Sequence, residues 1–451
     1  MSELPNNWTT ARLVDLAEDI SYGYTASSTR ERTGPHLLRI TDIQENEVLW
    51  SSVPYCEIDS EQADKYLLKE NDLVFARTGA TVGKSFLIKG EIPDAVFASY
   101  LIRVRCMRPE AAGYLSLYFR SQDYWRQITG FSAGIGQPNV NGSKLKELVI
   151  PLPPLAEQTR IAAKLDELLA QVDTLKARID GIPALLKRLR QSVLAAAVSG
   201  RLTEEWRVQH SKAEWKQLTF GDAGEVSGGL TKNSKRRALP LAKPYLRVAN
   251  VHANNLNLDD VTQIGLTEKE FEKTRLVSGD VLIVEGNGSL DHIGRAAIWN
   301  NEIPDCCHQN HLIRWRANNG VHPKFALYQL LSPQGRKQLV EVAKSTTGLH
   351  TLSISKVSAL KLPIPVADEQ TEIVHRVEQL FTFADQLEAR VKAAQARIDR
   401  LTQSILAKAF RGELVPQAPN DEPAGVLLER IKAQRATAPK AKRGRRAATL
   451  N

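Results

Sequence analysis

Pro151-Leu152-Pro153-Pro154-Leu155-Ala156-Glu157-Gln158-Thr159 and Pro363-Ile364-Pro365-Val366-Ala367-Asp368-Glu369-Gln370-Thr371 are one phrase written twice. Glu157 and Glu369 lie 212 positions apart (369 − 157), and the same interval links Ser143-Lys144-Leu145 to Ser355-Lys356-Val357 and Ser192-Val193-Leu194-Ala195 to Ser404-Ile405-Leu406-Ala407. A fixed interval over such a stretch marks an internal duplication of long period. Upstream the match thins and the interval drifts: Trp8 pairs with Trp215 (207 apart), Leu38-Arg39 with Leu246-Arg247 (208) and Leu101-Ile102-Arg103 with Leu312-Ile313-Arg314 (211). The chain therefore runs variable block, helix, variable block, helix.

The helical parts are periodic. Ile161, Leu165, Leu168, Val172, Leu175 and Ile179 alternate spacings of four and three, and Ile373, Val377, Leu380, Ala384, Leu387 and Val391 repeat the pattern. Such a stripe is the seam of a coiled coil. Each stripe continues, through Leu186, Leu189 and Val193 or through Ile398, Leu401 and Ile405, giving helices of about 45 residues, on the order of 67 Å. Two equal seams offset by a whole block predict an antiparallel pair in which each stripe is the other's core. Gly181-Ile182-Pro183 interrupts the first copy only, because proline removes a donor and clashes with the preceding turn, whereas the second copy reads Ala393-Ala394-Gln395.

The variable blocks read as mixed α/β. Leu73-Val74-Phe75-Ala76 and Val281-Leu282-Ile283-Val284 are short apolar runs between turn residues, as buried strands are, and 96–104 and 310–315 are further strands. The prolines at 151–154 and 363–365 are expected to break sheet pairing and to end each block. The expected organisation is a block over 1–154, a helix over 155–200, a linker over 201–214, a second block over 215–366, a second helix over 367–412, and a tail over 413–451 with a short helix and a basic run.

Composition narrows the function. A length of 451 residues with 42 % hydrophobic and 25 % charged residues predicts two or more folded cores. No apolar run is long enough to span a membrane, the N-terminus lacks an export signal, and four irregularly spaced cysteines form no disulfide framework, so a cytoplasmic protein is expected. The net charge is +9, yet the acid-free segment 431–451 holds seven Lys and Arg, which leaves +2 for the body. A DNA-binding surface on that body must come from local clustering or from a partner.

Catalytic readings fail one by one. Thr78-Gly79-Ala80-Thr81-Val82-Gly83-Lys84-Ser85 misses the first glycine of a phosphate-binding loop, and the second copy lacks the lysine and hydroxyl. Cys306-Cys307-His308 suggests zinc, but adjacent strand residues point to opposite faces. Pro93-Asp94 and Pro304-Asp305 precede strands carrying Arg103 and Arg105, or Arg314 and Arg316, rather than the acid and lysine of a nuclease. No enzyme, cofactor or metal site is expected in this chain.

The duplicated phrase, Glu369-Gln370, and Ser404-Ile405-Leu406-Ala407-Lys408-Ala409-Phe410-Arg411-Gly412-Glu413-Leu414 resemble the specificity subunit of type I restriction–modification systems, in the subgroup typified by the enteric K-12 enzyme. The resemblance covers essentially the whole chain. It implies two α/β target recognition domains separated by two long helices in an antiparallel coiled coil. Each domain would read one half of a split double-stranded DNA site. The helices would set the spacer and dock two methylation subunits, with restriction subunits added for cleavage. Methyl donor, ATP and magnesium would then belong to the partners.

For base contacts the loops after the apolar strands are the candidates: Arg77, Thr78 and Lys84 in the first block, and Glu285, Asn287, Ser289 and Arg295 in the second. Arginine suits guanine, asparagine adenine and glutamate cytosine. Gln137, Asn139 and His350, which precede the Ser-Lys matches, form a second set. The rival reading is a set of surface loops touching phosphate or nothing. Two other functions compete with the whole: an autonomous sequence-specific DNA-binding regulator, which the +2 body disfavours, and a coiled-coil scaffold, which would not need two dissimilar blocks.

Overall fold

The computed structural model describes residues 4–44, 47–132, 140–210, 214–287, 292–343 and 350–437. The chain forms two compact units, one built from 1–179 with 394–451 and the other from 180–393. The first borrows a distant segment; the second is continuous.

In the first unit, Leu73–Ala76 is buried at every position because both faces of its sheet are covered. Leu73 and Phe75 enter one apolar cluster while Val74 enters another, the period-2 alternation of a strand. The sheet is antiparallel, in the order Ala17–Tyr22, Leu101–Cys106, Leu73–Ala76, Ser85–Leu87. The second unit repeats it as Gly224–Gly228, Leu312–Ala317, Val281–Val284, Ala296–Ile298. The expected strand over 96–104 is in fact two, Ala95–Phe97 and Leu101–Cys106, with a turn closed by the Leu101 amide on the Ala98 carbonyl.

One buried aspartate locks each sheet. The Asp72 carboxylate takes both arms of Arg105 at 2.7 Å and the Lys69 amide at 2.8 Å. Asp280 does the same with Arg316, at 2.7 Å twice, and the Val277 amide at 2.8 Å. Bidentate, charge-assisted bonds of this kind fix geometry as well as charge. Arg103 reaches Asp19, and Arg314 reaches Glu225, each at 2.7 Å. All four strand arginines are thereby engaged inside their own domain.

The prolines do not end the fold. Val149–Leu152 pairs antiparallel with Thr9–Arg12, and Lys361–Ile364 with Lys216–Thr219, with Pro151 and Pro363 inside the ladders. Each ladder has only two strands, so a residue without an amide hydrogen can face away from its partner. The Pro151 carbonyl accepts the Tyr114 hydroxyl at 2.7 Å. Immediately downstream, buried Glu157 accepts Trp8 Nε1 (3.1 Å) and Gln417 Nε2 (2.7 Å). Glu369, its counterpart, accepts Trp215 Nε1 (3.2 Å) and the Thr203 hydroxyl (2.7 Å) and pairs with Arg207 (3.3 Å). Burial pushes the Glu157 carboxyl up from its ordinary range, against the pull of the Trp8 and Gln417 bonds.

The first long helix is bent, running Leu155–Asp180 and then Ile182–Val198 with Pro183 in the first turn of the second piece. The second, Ala367–Phe410, is a single 44-residue helix. Its first part belongs to the second unit and its end to the first. In the second unit Arg190 pairs with Asp385 (2.6 Å) and Glu388 (3.1 Å), while Arg376 reaches the Leu202 carbonyl at 2.9 Å. Moving up one segment moves down the other, so the two helical pieces of this unit run antiparallel.

Of the seam residues, Ile161, Leu165, Val172, Ile373, Val377, Ala384 and Val391 are buried, and Leu168, Ile179, Leu380 and Leu387 are partly buried. Leu175 is 49 % exposed. Ile161 and Leu165 share a core with Tyr114 and Leu115, and Ile373 and Val377 share one with Phe325 and Leu327, so each seam begins as domain core. The returning end of the second helix completes the first core, where Phe410 lies edge-on to Tyr114 and Tyr118 at 5.4 and 5.2 Å. Truncating such a ring to alanine costs on the order of 3–5 kcal/mol. The tail helix Ala424–Thr437 adds Leu427, Leu428 and Ile431 to that core.

Candidate nucleic-acid interface

The two central strands end in the same backbone construction. In the first unit the Arg77 amide donates to the Tyr100 carbonyl (3.0 Å), the Ala76 amide to Lys84 (2.8 Å), and the Gly83 amide to Ala76 (2.9 Å). In the second, Glu285 donates to His311 (3.0 Å), Val284 to Arg295 (2.8 Å), and Gly294 to Val284 (3.2 Å). Gly83 and Gly294 both have positive φ, 82° and 64°, and a Cβ there would press on Ile128 or Leu339 at 2.8–2.9 Å. Glycine meets both requirements without strain.

Different side chains are mounted on this shared frame. Position by position, Arg77 is replaced by Glu285, Tyr100 by His311 and Lys84 by Arg295. The Arg77 guanidinium lies over the Tyr22 ring at 5.0 Å, and the Tyr22 hydroxyl accepts the Gly142 amide at 2.8 Å. Arg77 Nε is buried without a partner among the described residues. Tyr22 is 42 % exposed beneath it, so a cation lies on one aromatic face at the end of a rigid strand, and Tyr100, tied to Arg77 through the backbone, is 64 % exposed. Lys84 is exposed across the hairpin turn, and Thr78 is half-buried between them.

In the second unit the Glu285 carboxylate meets His311 Nδ1 at 2.9 Å, with the two side chains 30 % and 57 % exposed. The Glu285 carbonyl accepts the Leu352 amide at 2.7 Å, and Gly286–Asn287 pairs antiparallel with His350–Thr351, which sets Asn287 opposite His350. Arg295 Nε and His350 Nδ1 are buried without partners among the described residues. The structure thus gathers Arg77, Thr78 and Lys84 on one hairpin, and brings Glu285, Asn287, Arg295 and His350 around one strand end. Gln137, Asn139 and Ser289 lie outside the described residues; Val140, next in sequence after Asn139, donates its amide to the Arg77 carbonyl at 3.1 Å. Sequence reasoning missed Tyr22, Tyr100 and His311. The repeat offset held the signal for the last two, since Tyr100 and His311 directly precede the Leu-Ile-Arg match.

The near-miss phosphate loop leads into strand Ser85–Leu87 rather than into the helix that a phosphate-binding loop opens. Cys306 and Cys307 are buried in two separate apolar clusters, and burial pushes the Cys306 thiol up to about 12. Among the described residues no group of three or more His, Cys, Asp or Glu could hold a metal ion, and no helix is long and apolar enough to cross a membrane.

Comparison with known proteins agrees with this layout. Residues 5–184 and 212–394 each match the type I restriction modification DNA specificity domain family. The chain is 39 % identical over 350 residues to the EcoKI specificity subunit of Escherichia coli K12, covering 73 % of this chain and 74 % of that protein. It is likewise 39 % identical over 345 residues to the StySPI specificity subunit of Salmonella potsdam, with 73 % and 74 % covered. Two solved structures share the fold. One is a chain from a type I R-M system studied for complex assembly and conformational transition, with a TM-score of 0.69, 21 % identity, and 92 % of this chain and all of that chain covered. The other is the HsdS subunit of Thermoanaerobacter tengcongensis, at 0.57, 20 %, and 91 % and 98 %. Both halves of the duplication, with their matched strand ends and long helices, belong to the type I restriction–modification DNA specificity family.

Proposed function

We propose that this chain is the non-catalytic specificity subunit of a type I restriction–modification complex, that each unit reads one half of a bipartite duplex site, and that the long helices set the spacer. One observation carries the reading: matching backbone frames end in opposite recognition chemistries, Arg77 on Tyr22 in one unit and Glu285 with His311 in the other. A guanidinium matches the two acceptors of guanine, and a carboxylate matches the amino donors of cytosine or adenine. Two methylation subunits dock on the helical parts and restriction subunits complete the assembly; methyl donor, ATP and magnesium are held by those partners in the cytoplasm.

Mapping methylated adenines in a host genome with and without the gene tests the reading. A split motif that vanishes on deletion is expected; an uninterrupted motif, or methylation unchanged by deletion, overturns it. Removing one heptad from each helix shortens them by about 10 Å. At 3.4 Å per base pair the spacer should then contract by roughly three base pairs.

A further inference from the structure

Residues 226–258 contain no acid, yet hold Lys232, Lys235, Arg236, Arg237, Lys243 and Arg247. Three of these cations are spent internally: Arg236 on Glu270 (3.0 Å), Lys243 on Asp305 (2.7 Å) and Arg247 on Asp260 (2.7 Å). Lys232, Lys235 and Arg237 are exposed and make no ion pair among the described residues. On a body whose charge sums to only +2, this is a marked local concentration.

The segment is a built platform. Arg236 clamps it, donating to the Thr231 carbonyl (2.6 Å), the Gly265 carbonyl (3.1 Å) and both oxygens of Glu270 (3.3 and 3.0 Å). The 3-10 turn Ser234–Ala238 then sits on strand Thr262–Leu266 so closely that a Cβ on Gly265 would fall 1.8 Å from the Arg236 carbonyl. The platform also starts at the candidate interface. The Leu230 amide donates to the His308 carbonyl (2.9 Å), and its carbonyl accepts the Asn310 amide (3.0 Å), one residue before His311. Gly229 permits that approach, since a Cβ would lie 2.1 Å from the His308 carbonyl. Lys232 therefore follows two residues after a point tied to the neighbour of His311. The corresponding segment of the first unit, after Gly23, offers Arg30 and Arg32 with Glu31 between them.

We infer that Lys232, Lys235 and Arg237 form a phosphate-contacting platform that holds the duplex backbone beside the Glu285–His311 reading position. This rests on the proposed DNA-reading function and deepens it: contacts to phosphate fix register and supply affinity, while the strand end supplies sequence. The unit whose reading group is a carboxylate repels the phosphate backbone, and three free cations on the segment tied to Asn310 offset that repulsion.

The test uses the full chain assembled with its methylation subunits, in wild-type form and as the K232Q/K235Q/R237Q variant, with dissociation constants for cognate and scrambled duplexes measured across a salt series. Each lost phosphate contact lowers the slope of log K against log salt by about 0.9, so the variant's slope should be shallower by roughly 2.7. Affinity should fall on the order of hundredfold near 0.1 M salt, equally for both duplexes, with the methylated motif unchanged. The single R237Q variant should show about one third of the slope change, which covers misfolding of the triple variant, and K232R/K235R should keep the wild-type slope. An unchanged slope overturns the platform. So does a loss confined to the cognate duplex, or release of a partner subunit with the slope intact, which would make the occupant an acidic protein surface. A wild-type complex that binds no duplex overturns the underlying functional reading instead.

Discussion

Phe97 and His308 occupy the same place in the two units, 211 positions apart, each buried on a short parallel strand, opposite Leu38 and Leu246 respectively. In the first unit the Arg103 guanidinium lies over the Phe97 ring at 5.1 Å, a favourable cation–π contact. In the second, Arg314 stands in for Arg103, and burial together with that positive charge pulls His308 down to about 4. The arginine stays because its carboxylate partner stays; the residue beside it has drifted. Duplication here preserves what holds the sheet and releases what surrounds it.

If that division is right, the largest effect comes from the shared lock. Asp72→Ala and Asp280→Ala each strand a partly buried arginine and an amide, and should destabilise their own unit by about 3–5 kcal/mol, toward the lower value because Arg105 and Arg316 keep 23 % and 33 % solvent access. Peptide-resolved hydrogen exchange should show loss of protection in one unit at a time. A cost in only one of them would break the equivalence.

His308 gives the next effect, and it is pH-dependent. Its folded value lies below the ordinary 6.5, so the associated stability is present above about 6.5 and is lost as pH falls toward about 4. The total is about 3 kcal/mol at 1.36 kcal/mol per unit. Urea titrations of the second unit at pH 7 and pH 4.5 should separate by most of that amount, and His308→Phe, which installs the first unit's residue, should flatten the difference. An unchanged pH profile in H308F would remove the histidine from the account.

Smaller changes belong to the reading positions. Arg77→Ala and Glu285→Ala should each relax discrimination by about 1–3 kcal/mol per base, in opposite half-sites, as read by methylation of variant duplexes. Relaxation of both half-sites by one substitution would contradict separate readers. The least effect is expected from Pro183→Gln, which copies the second helix into the first: proline in a first turn costs little, so stability should move by under about 1 kcal/mol.

Much of this was legible in the sequence. The 212-residue interval gave the two copies, the apolar runs at Leu73 and Val281 gave the central strands, and Gly181-Ile182-Pro183 marked the one bend. Reading failed where local rules meet tertiary context. Pro151 and Pro363 carry the local signature of terminators, yet each sits in a two-stranded ladder that does not need its amide. Nothing local marks the roles of Arg103 and Arg105, because their partners Asp19 and Asp72 lie 84 and 33 residues away. Of the candidate site, the strand-end residues followed from the turn signals, but Tyr22 comes to Arg77 from another strand. Ring proximity of that kind has no periodic signature.

The shared second helix has a bearing on how the protein is made. Residues 180–393 can close their core as soon as they have left the ribosome, whereas the domain that begins at the N-terminus waits for Leu406, Ala409, Phe410 and the tail helix. Vectorial synthesis normally completes the leading domain first. Here the order is reversed, and the first-born half stays open to proteases and chaperones until Ile431 has emerged. Limited proteolysis of ribosome-bound chains stalled just after residue 393 has cleared the exit tunnel should find 180–393 resistant and the leading half cut.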